Sequence, residues 1–318
     1  MKKRKLGNTG IEVSEIAFGG VEIGLPYGIG VNSDKDMISE AKAIDLLRLA
    51  LDSGINFFDT ARMYGNSEHI MGKAFQNKRS EVILATKCVH LLDNEGNLPP
   101  KNKLRETVEK SIYESLKALQ TDYVDIFMLH QATVKILENE EILTVFSSLR
   151  DKGLFKAAGV STYTTEVTEK TIDIGFWNMI QLPFNLMDQR QGELFKKADE
   201  KGIGIVVRSV LLKGLLSDRG RNLHPALKDV ENHIAKYHEL LEGTNYKLPA
   251  LATKFALSFP EVSSVLVGID KQEYLEEALR TVDGVYLSKE KLNKARQLAY
   301  PEPEFINLPY WDKMKWLT

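Results

Sequence analysis

Apolar positions along this chain follow two periods in turn. Short apolar runs (Ile16-Ala17-Phe18, Ile55-Asn56-Phe57-Phe58, Val82-Ile83-Leu84-Ala85-Thr86, and Tyr123 through Leu129) are separated by stretches with helical spacing over 41–53, 67–76 and 103–119. Strand, helix, strand in repetition requires crossover connections, hence parallel strands with helices laid over them. The pattern continues with helices over 142–152, 165–174, 193–201, 249–258 and 272–282. Between them it predicts strands over 156–161, 179–183, 204–208 and 262–267. About eight of each suits an α/β fold closed into a single (β/α)8 TIM barrel.

Gly54, Gly153, Gly175 and Gly202 each follow a periodic run, where a left-handed residue ends a helix. Two segments exceed the repeat, 225–241 and 288–299, and are expected as extra helices. A hairpin over about 4–14, turning at Gly7 to Gly10, is placed to plug the N-terminal end of the barrel, and a tail over about 300–318 follows it.

Composition narrows the function. The 318 residues, 43% hydrophobic, are read as one barrel domain over 1–318, since α/β barrels commonly exceed ordinary domain length. A net charge of −2 gives no basic footprint for nucleic acid or an acidic membrane, so a small-molecule partner is expected. No apolar run approaches the roughly 18 residues of a membrane span. The basic start leads into Leu6-Gly7-Asn8-Thr9-Gly10 instead of an apolar signal core, so the cytoplasm is the expected compartment. Cys88 is the sole cysteine, which excludes an internal disulfide and a thiolate metal cluster within the chain. Beside Lys87, it is expected to point to the opposite face as a small packed residue.

Chemistry gathers at strand ends. Asp59, Lys87 and His130 each stand at the end of a predicted strand, and Tyr64 lies just beyond Asp59. In barrels the C-terminal strand ends carry catalytic groups. Alone, Asp59 reads equally as a turn cap and His130 as an interior histidine, while Tyr64 reads more readily as a loop aromatic. Lys87 is harder to dismiss, because a buried ammonium needs a counter-ion, and Asp59 on the next strand supplies one. Together they suggest a phenol that protonates a carbonyl, tuned by Lys87 and assisted by His130. Lys87 is expected to draw the phenol down from its reference pKa of about 10.

The segment 55–74 (INFFDTARMYGNSEHIMGKA), the Asp/Tyr/Lys/His order and Val124 to His130 (VDIFMLH) resemble the aldo/keto reductases. So do Gly159-Val160-Ser161-Thr162, Gln181, and Arg208-Ser209-Val210-Leu211 leading to Gly214. The resemblance implies hydride transfer between a nicotinamide cofactor and a carbonyl or alcohol. By it, Asp59, Tyr64, Lys87 and His130 match the catalytic four. Ser161, Gln181 and Thr162, the last where Asn is common, match the carboxamide contacts. Ser209, Leu211 and Gly214 match the diphosphate loop, with Gly19 and Gly20 near the cofactor. The segment around Gly268, Asp270, Lys271, Tyr274 and Glu277 matches the adenosine site. Arg208 stands where many relatives carry an aromatic ring, and Tyr274 where an Arg often meets the 2′-phosphate. The cofactor is therefore read as NADP(H) or NAD(H), with preference open.

For the substrate pocket the candidates are Tyr27 in the loop 21–36, His90 and the tail residue Trp311. The tail is read either as a pocket wall or as packing on the flank or a subunit contact. Two other functions stay in view. One is a cofactor-sensing, non-catalytic subunit of the same fold; the other is a metal-dependent hydrolase using Asp59, His90 and His130, although no His-x-His pair appears and no metal site is expected.

Overall fold

The computed structural model describes residues 1–31 and 33–317; Asn32 in the first loop and Thr318 in the tail lie outside the described residues. The hairpin is formed by β1 (Lys3–Lys5) and β2 (Glu12–Ser14), paired antiparallel. Eight strands follow: β3 (Ile16–Gly19), β4 (Phe57–Asp59), β5 (Ile83–Lys87), β6 (Val124–Leu129), β7 (Phe155–Ser161), β8 (Met179–Pro183), β9 (Gly204–Arg208) and β10 (Val262–Gly268). All pair in parallel and in order, and β10 closes on β3 through Val265↔Ile16 to Gly268↔Gly19.

Alternation along the strands builds two cores. Outward residues such as Phe18, Phe58, Leu84, Phe127 and Ile205 pack beneath the helices. Inward residues Ala17, Phe57, Ala85, Ile126, Met128, Ala157, Met179 and Val206 fill the barrel. Leu6, Ile11 and Val13 of the hairpin join that inner cluster, so the hairpin plugs the N-terminal end as the sequence predicts. A methionine-filled interior demands small neighbours: a Cβ on Gly159 would lie 2.6 Å from Met128 Cγ.

The expected helix stops are left-handed, with φ of 98° at Gly54, 75° at Gly153, 68° at Gly175 and 69° at Gly202. Helices α1 (Glu40–Asp52), α2 (Ser67–Phe75) and α3 (Lys101–Leu119) match their patterns to within two residues. A four-residue α4 (Val134–Leu137), which the pattern did not predict, precedes α5 (Glu140–Asp151) and α6 (Thr165–Ile174). The helix expected over 193–201 is shorter: α7 spans Phe195–Glu200, and Arg190–Leu194 form a 3-10 turn. Gly192 in that turn lies against Phe184, where a Cβ would sit 2.9 Å from the ring.

The first extra helix is α8 (Lys228–Lys236), flanked by 3-10 turns, and α9 (Leu248–Leu257) and α10 (Gln272–Thr281) complete the barrel's outer layer. The second extra helix is α11 (Lys289–Gln297). The tail then folds into α12 (Leu308–Lys313), whose Asn307 cap accepts from Tyr310 N. No described helix is long and apolar enough to cross a membrane.

Candidate active site

Two residues beyond the inner apolar layer, each strand presents its next inward position at the C-terminal mouth. Those positions are Gly19, Asp59, Lys87, His130, Ser161, Gln181, Arg208 and Gly268. They follow Ala17, Phe57, Ala85, Met128, Gly159, Met179, Val206 and Leu266 by the period of a strand. The polar groups predicted from separate segments thus form one ring because the barrel interior has one alternation. A cavity of about 480 Å³ opens there, lined by all of that ring except Lys87, which lies fully buried.

Lys87 Nζ donates to Asp59 Oδ2 at 2.6 Å, to the Thr60 carbonyl at 3.0 Å and to the Tyr64 hydroxyl at 3.4 Å. Asp59 Oδ1 accepts from Gln181 Nε2 at 2.8 Å, so both carboxylate oxygens are engaged. Gly20 N donates to the Asp59 carbonyl, and a Cβ on Gly20 would approach that oxygen to 2.6 Å, so only glycine lets the first loop press on the end of β4. Burial pulls the Lys87 pKa below its ordinary value, and the Asp59 carboxylate opposes that fall.

The Tyr64 phenol departs from expectation. Burial, with the Asp59 charge adding to it, holds its pKa well above 10, and the opposing pull of Arg208 does not reverse the shift. The predicted fall toward neutrality is overturned because Lys87 is already neutralised by Asp59, leaving desolvation to dominate. Tyr64 therefore stays protonated at neutral pH.

His130 meets Tyr64 edge-on at 5.4 Å between ring centroids, and His90 packs on its other side at 5.0 Å. Burial, reinforced by the Lys87, His90 and Arg208 charges, pushes its pKa down to about 2. It is a neutral imidazole, and its Nδ1 is buried without a hydrogen-bond partner among the described residues. Such a ring can donate one hydrogen bond without bringing a second positive charge.

Along the cleft the predicted cofactor residues Ser209, Leu211, Gly214, Asp270, Tyr274 and Glu277 line the wall, as do Gly20 and Tyr27. Besides Lys87, four of the predicted residues do not line the cavity. Thr162 follows Ser161 by one residue and so turns away; its hydroxyl bonds Thr168 Oγ1 at 2.6 Å. Lys271 is exposed at the N-cap of α10, outside the cleft, with Nζ 5.6 Å from the Tyr274 ring centre. Trp311 is wholly buried against Phe305 and does not line the cavity; the tail packs on the barrel instead of walling the pocket. His90 reaches the site through the His130 ring, not as a cavity wall. Cys88 is buried in the outer core, and burial raises its thiol pKa to about 12.

Loops contribute residues that no strand period could reveal. Tyr163 lines the mouth, with the Arg208 guanidinium 4.2 Å above its ring; Arg208 also donates to the Thr162 carbonyl at 2.8 Å. Arg219 donates to Tyr274 Oη at 3.1 Å and to the Ile29 carbonyl at 3.1 Å. The strap after β9 holds Ser209, Leu212 and Lys213 at positive φ, and Lys213 is tied to Asp312 of α12. Glu22, also from the first loop, enters the cleft near Gly268. Among the described residues, no three His, Cys, Asp or Glu side chains are grouped to hold a metal ion.

Comparison with known proteins agrees with this architecture. The aldo/keto reductase family model matches residues 15–299. The L-galactose dehydrogenase of Arabidopsis thaliana is 31% identical over 317 residues, covering 94% of each chain. The NADH-specific methylglyoxal reductase of Escherichia coli is 27% identical, over 94% of this chain and 98% of its own. Among solved structures, the holo form of an aldo-keto reductase from Bacillus halodurans superposes with a TM-score of 0.79 at 27% identity, covering 94% of this chain and 96% of that one. With a family match across most of its length and the polar ring set at the mouth of an eight-stranded barrel, this chain belongs to the aldo/keto reductase family.

Proposed function

We propose that Tyr64 is the proton donor in carbonyl reduction by this NAD(P)-dependent oxidoreductase, and the acceptor when the reaction runs toward oxidation. The observation that carries this reading is the shared ammonium: Lys87 Nζ stands 2.6 Å from Asp59 and 3.4 Å from the Tyr64 hydroxyl. A bound nicotinamide dinucleotide supplies the hydride in reduction and takes it in oxidation. Tyr64, protonated at neutral pH, holds its proton toward the oxygen that becomes an alcohol. Lys87 stabilises the phenolate left behind, and Asp59 fixes Lys87 in place. The neutral His130 supplies a second donor to the same oxygen, polarising the carbonyl.

Ser161 and Gln181 at the ends of β7 and β8 would hold the carboxamide, and Ser209, Leu211 and Gly214 the diphosphate. Gly268, Asp270, Tyr274 and Glu277 would surround the adenosine. The cleft suits such a guest: its floor lacks a side chain at Gly19, and cations of the strap line one side. The substrate is a small aldehyde, ketone or sugar, a range consistent with the relatives named for L-galactose and methylglyoxal. Tyr163 and Arg208 at the mouth favour a polar compound.

Retention of all four groups in contact argues against a cofactor-sensing subunit without turnover. The hydrolase reading is weakened because both Asp59 oxygens are committed to Lys87 and Gln181. A screen of nicotinamide absorbance change across aldehydes, ketones and sugars, with NADH and NADPH, tests the proposal. Turnover lost in Tyr64→Phe is expected; absence of turnover with every class would reject it.

A further inference from the structure

Glu22 lines the cleft, and the chemistry above leaves its carboxyl without a task. Its Oε2 is buried and has no hydrogen-bond partner, and no ion pair to it occurs among the described residues. Its Oε1 occupies the room left by the missing side chain at position 268, where a Cβ would stand 2.0 Å away. Its own backbone N–H donates to the carboxyl, and the side chains that act on it are acidic or phenolic. Asp270 beyond β10 and Asp59 on β4 act on it as like charges, and it acts in turn on Tyr27 and Tyr64. It therefore lies between the catalytic end and the Asp270 end of the cleft. Two cations that line the cleft have other partners: Lys213 is bonded to Asp312, and Arg219 to the Ile29 carbonyl and Tyr274.

The middle of an extended dinucleotide is its diphosphate. An ionised carboxylate there would repel it, whereas a carboxylic acid can donate one hydrogen bond to a phosphate oxygen. We propose that Glu22 is a cofactor-binding residue that holds its proton and donates it as a hydrogen bond to the diphosphate of the bound nicotinamide dinucleotide. This rests on the reading of the cleft as a dinucleotide site. It is consistent with the surroundings, since burial first, then Asp270 and Asp59, raise the Glu22 pKa to about 8 against the opposing hydrogen bond from its own backbone N–H. Cofactor binding is then linked to that proton: affinity is full well below the Glu22 pKa of about 8, and is lost as pH rises through it and the carboxyl ionises.

The test is the dissociation constant for NADH, read by ligand fluorescence between pH 6.5 and 9.5, in wild type, Glu22→Gln and Glu22→Met. NADH has no 2′-phosphate to titrate in that range. Wild-type affinity is expected to fall about tenfold from pH 7 to pH 9. Glu22→Gln, which keeps a neutral donor, should stay within about threefold of wild type at pH 7 and lose the pH dependence. Glu22→Met, which cannot donate, should bind more weakly at pH 7 and be equally flat. Equal wild-type affinity at pH 7 and 9, or an undiminished slope in folded Glu22→Gln, would overturn the role of Glu22 while leaving the dinucleotide site intact. No binding of NADH or NADPH by wild type at any pH would overturn the site itself, and the Glu22 proposal with it.

Discussion

The Lys87 ammonium lies 3.4 Å from the Tyr64 hydroxyl and 4.7 Å from the centre of its ring, while its strongest bond goes to Asp59. The cation is thus held in reserve. It does not ionise the resting phenol, but it stands where a phenolate would form once the proton has left.

Removing that proton alone separates binding from chemistry. Tyr64→Phe keeps the ring that packs on His130 and deletes the hydroxyl, so cofactor affinity should persist while turnover falls by about 100-fold or more. Steady-state rates alongside a cofactor titration check this, and undiminished turnover would remove Tyr64 from its role.

Tyr64 has a pKa held above 10, so its acid form is present throughout neutral and mildly alkaline pH. At saturating cofactor, reduction should stay flat from pH 6 to 9, and oxidation, which needs the phenolate, should climb with pH. Lys87→Met removes the charge that favours the phenolate, so the oxidative limb should move to higher pH and both rates should fall. An unchanged profile in an active variant would contradict the coupling.

The ring of strand-end residues was legible because inward alternation is a property of each strand. Asp59, Lys87 and His130 needed only correct strand boundaries to be placed together. The same rule keeps Thr162 out of the ring, one residue out of phase with Ser161 and bonded to Thr168. Glu22, Tyr163 and Arg219 were missed because loops impose no period. Arg219 meets Tyr274 across 55 residues of sequence, a contact set by how the strap closes. Nor could the pattern fix the Tyr64 phenol, whose proton affinity depends on burial that only the assembled barrel provides.

Arg208 tests the charge at the reacting end. Its guanidinium acts on Tyr64, Lys87 and His130, so it should oppose a cationic oxidised nicotinamide more than the neutral reduced one. Arg208→Tyr should lessen the preference for reduced cofactor. The ratio of dissociation constants for the two redox forms measures it, and an unchanged ratio would assign the guanidinium to Tyr163 and substrate alone.

The tail acts through packing. Trp311 is wholly buried against Phe305, so Trp311→Ala should cost about 3–5 kcal/mol of stability, read by denaturant unfolding. KM for the substrate should change little if the folded variant is assayed below its transition. A large KM effect with intact stability would return Trp311 to the pocket.

Cofactor preference turns on which cation can reach a 2′-phosphate, whose roughly two negative charges need a strong partner. Lys271 is exposed outside the cleft, whereas Arg219 lines it and reaches Tyr274 Oη at 3.1 Å. Asp270, on the same wall, would repel the phosphate and suits the free hydroxyl of NADH. Arg219→Ala should therefore lower the NADPH to NADH ratio of kcat/KM several-fold, and Asp270→Ser should raise it. Lys271→Ala should leave it nearly unchanged, since its ammonium is solvated and screened. A ratio governed by Lys271 instead of Arg219 would mean that the adenosine end lies over the N-terminus of α10, outside the wall that Tyr274 and Arg219 form.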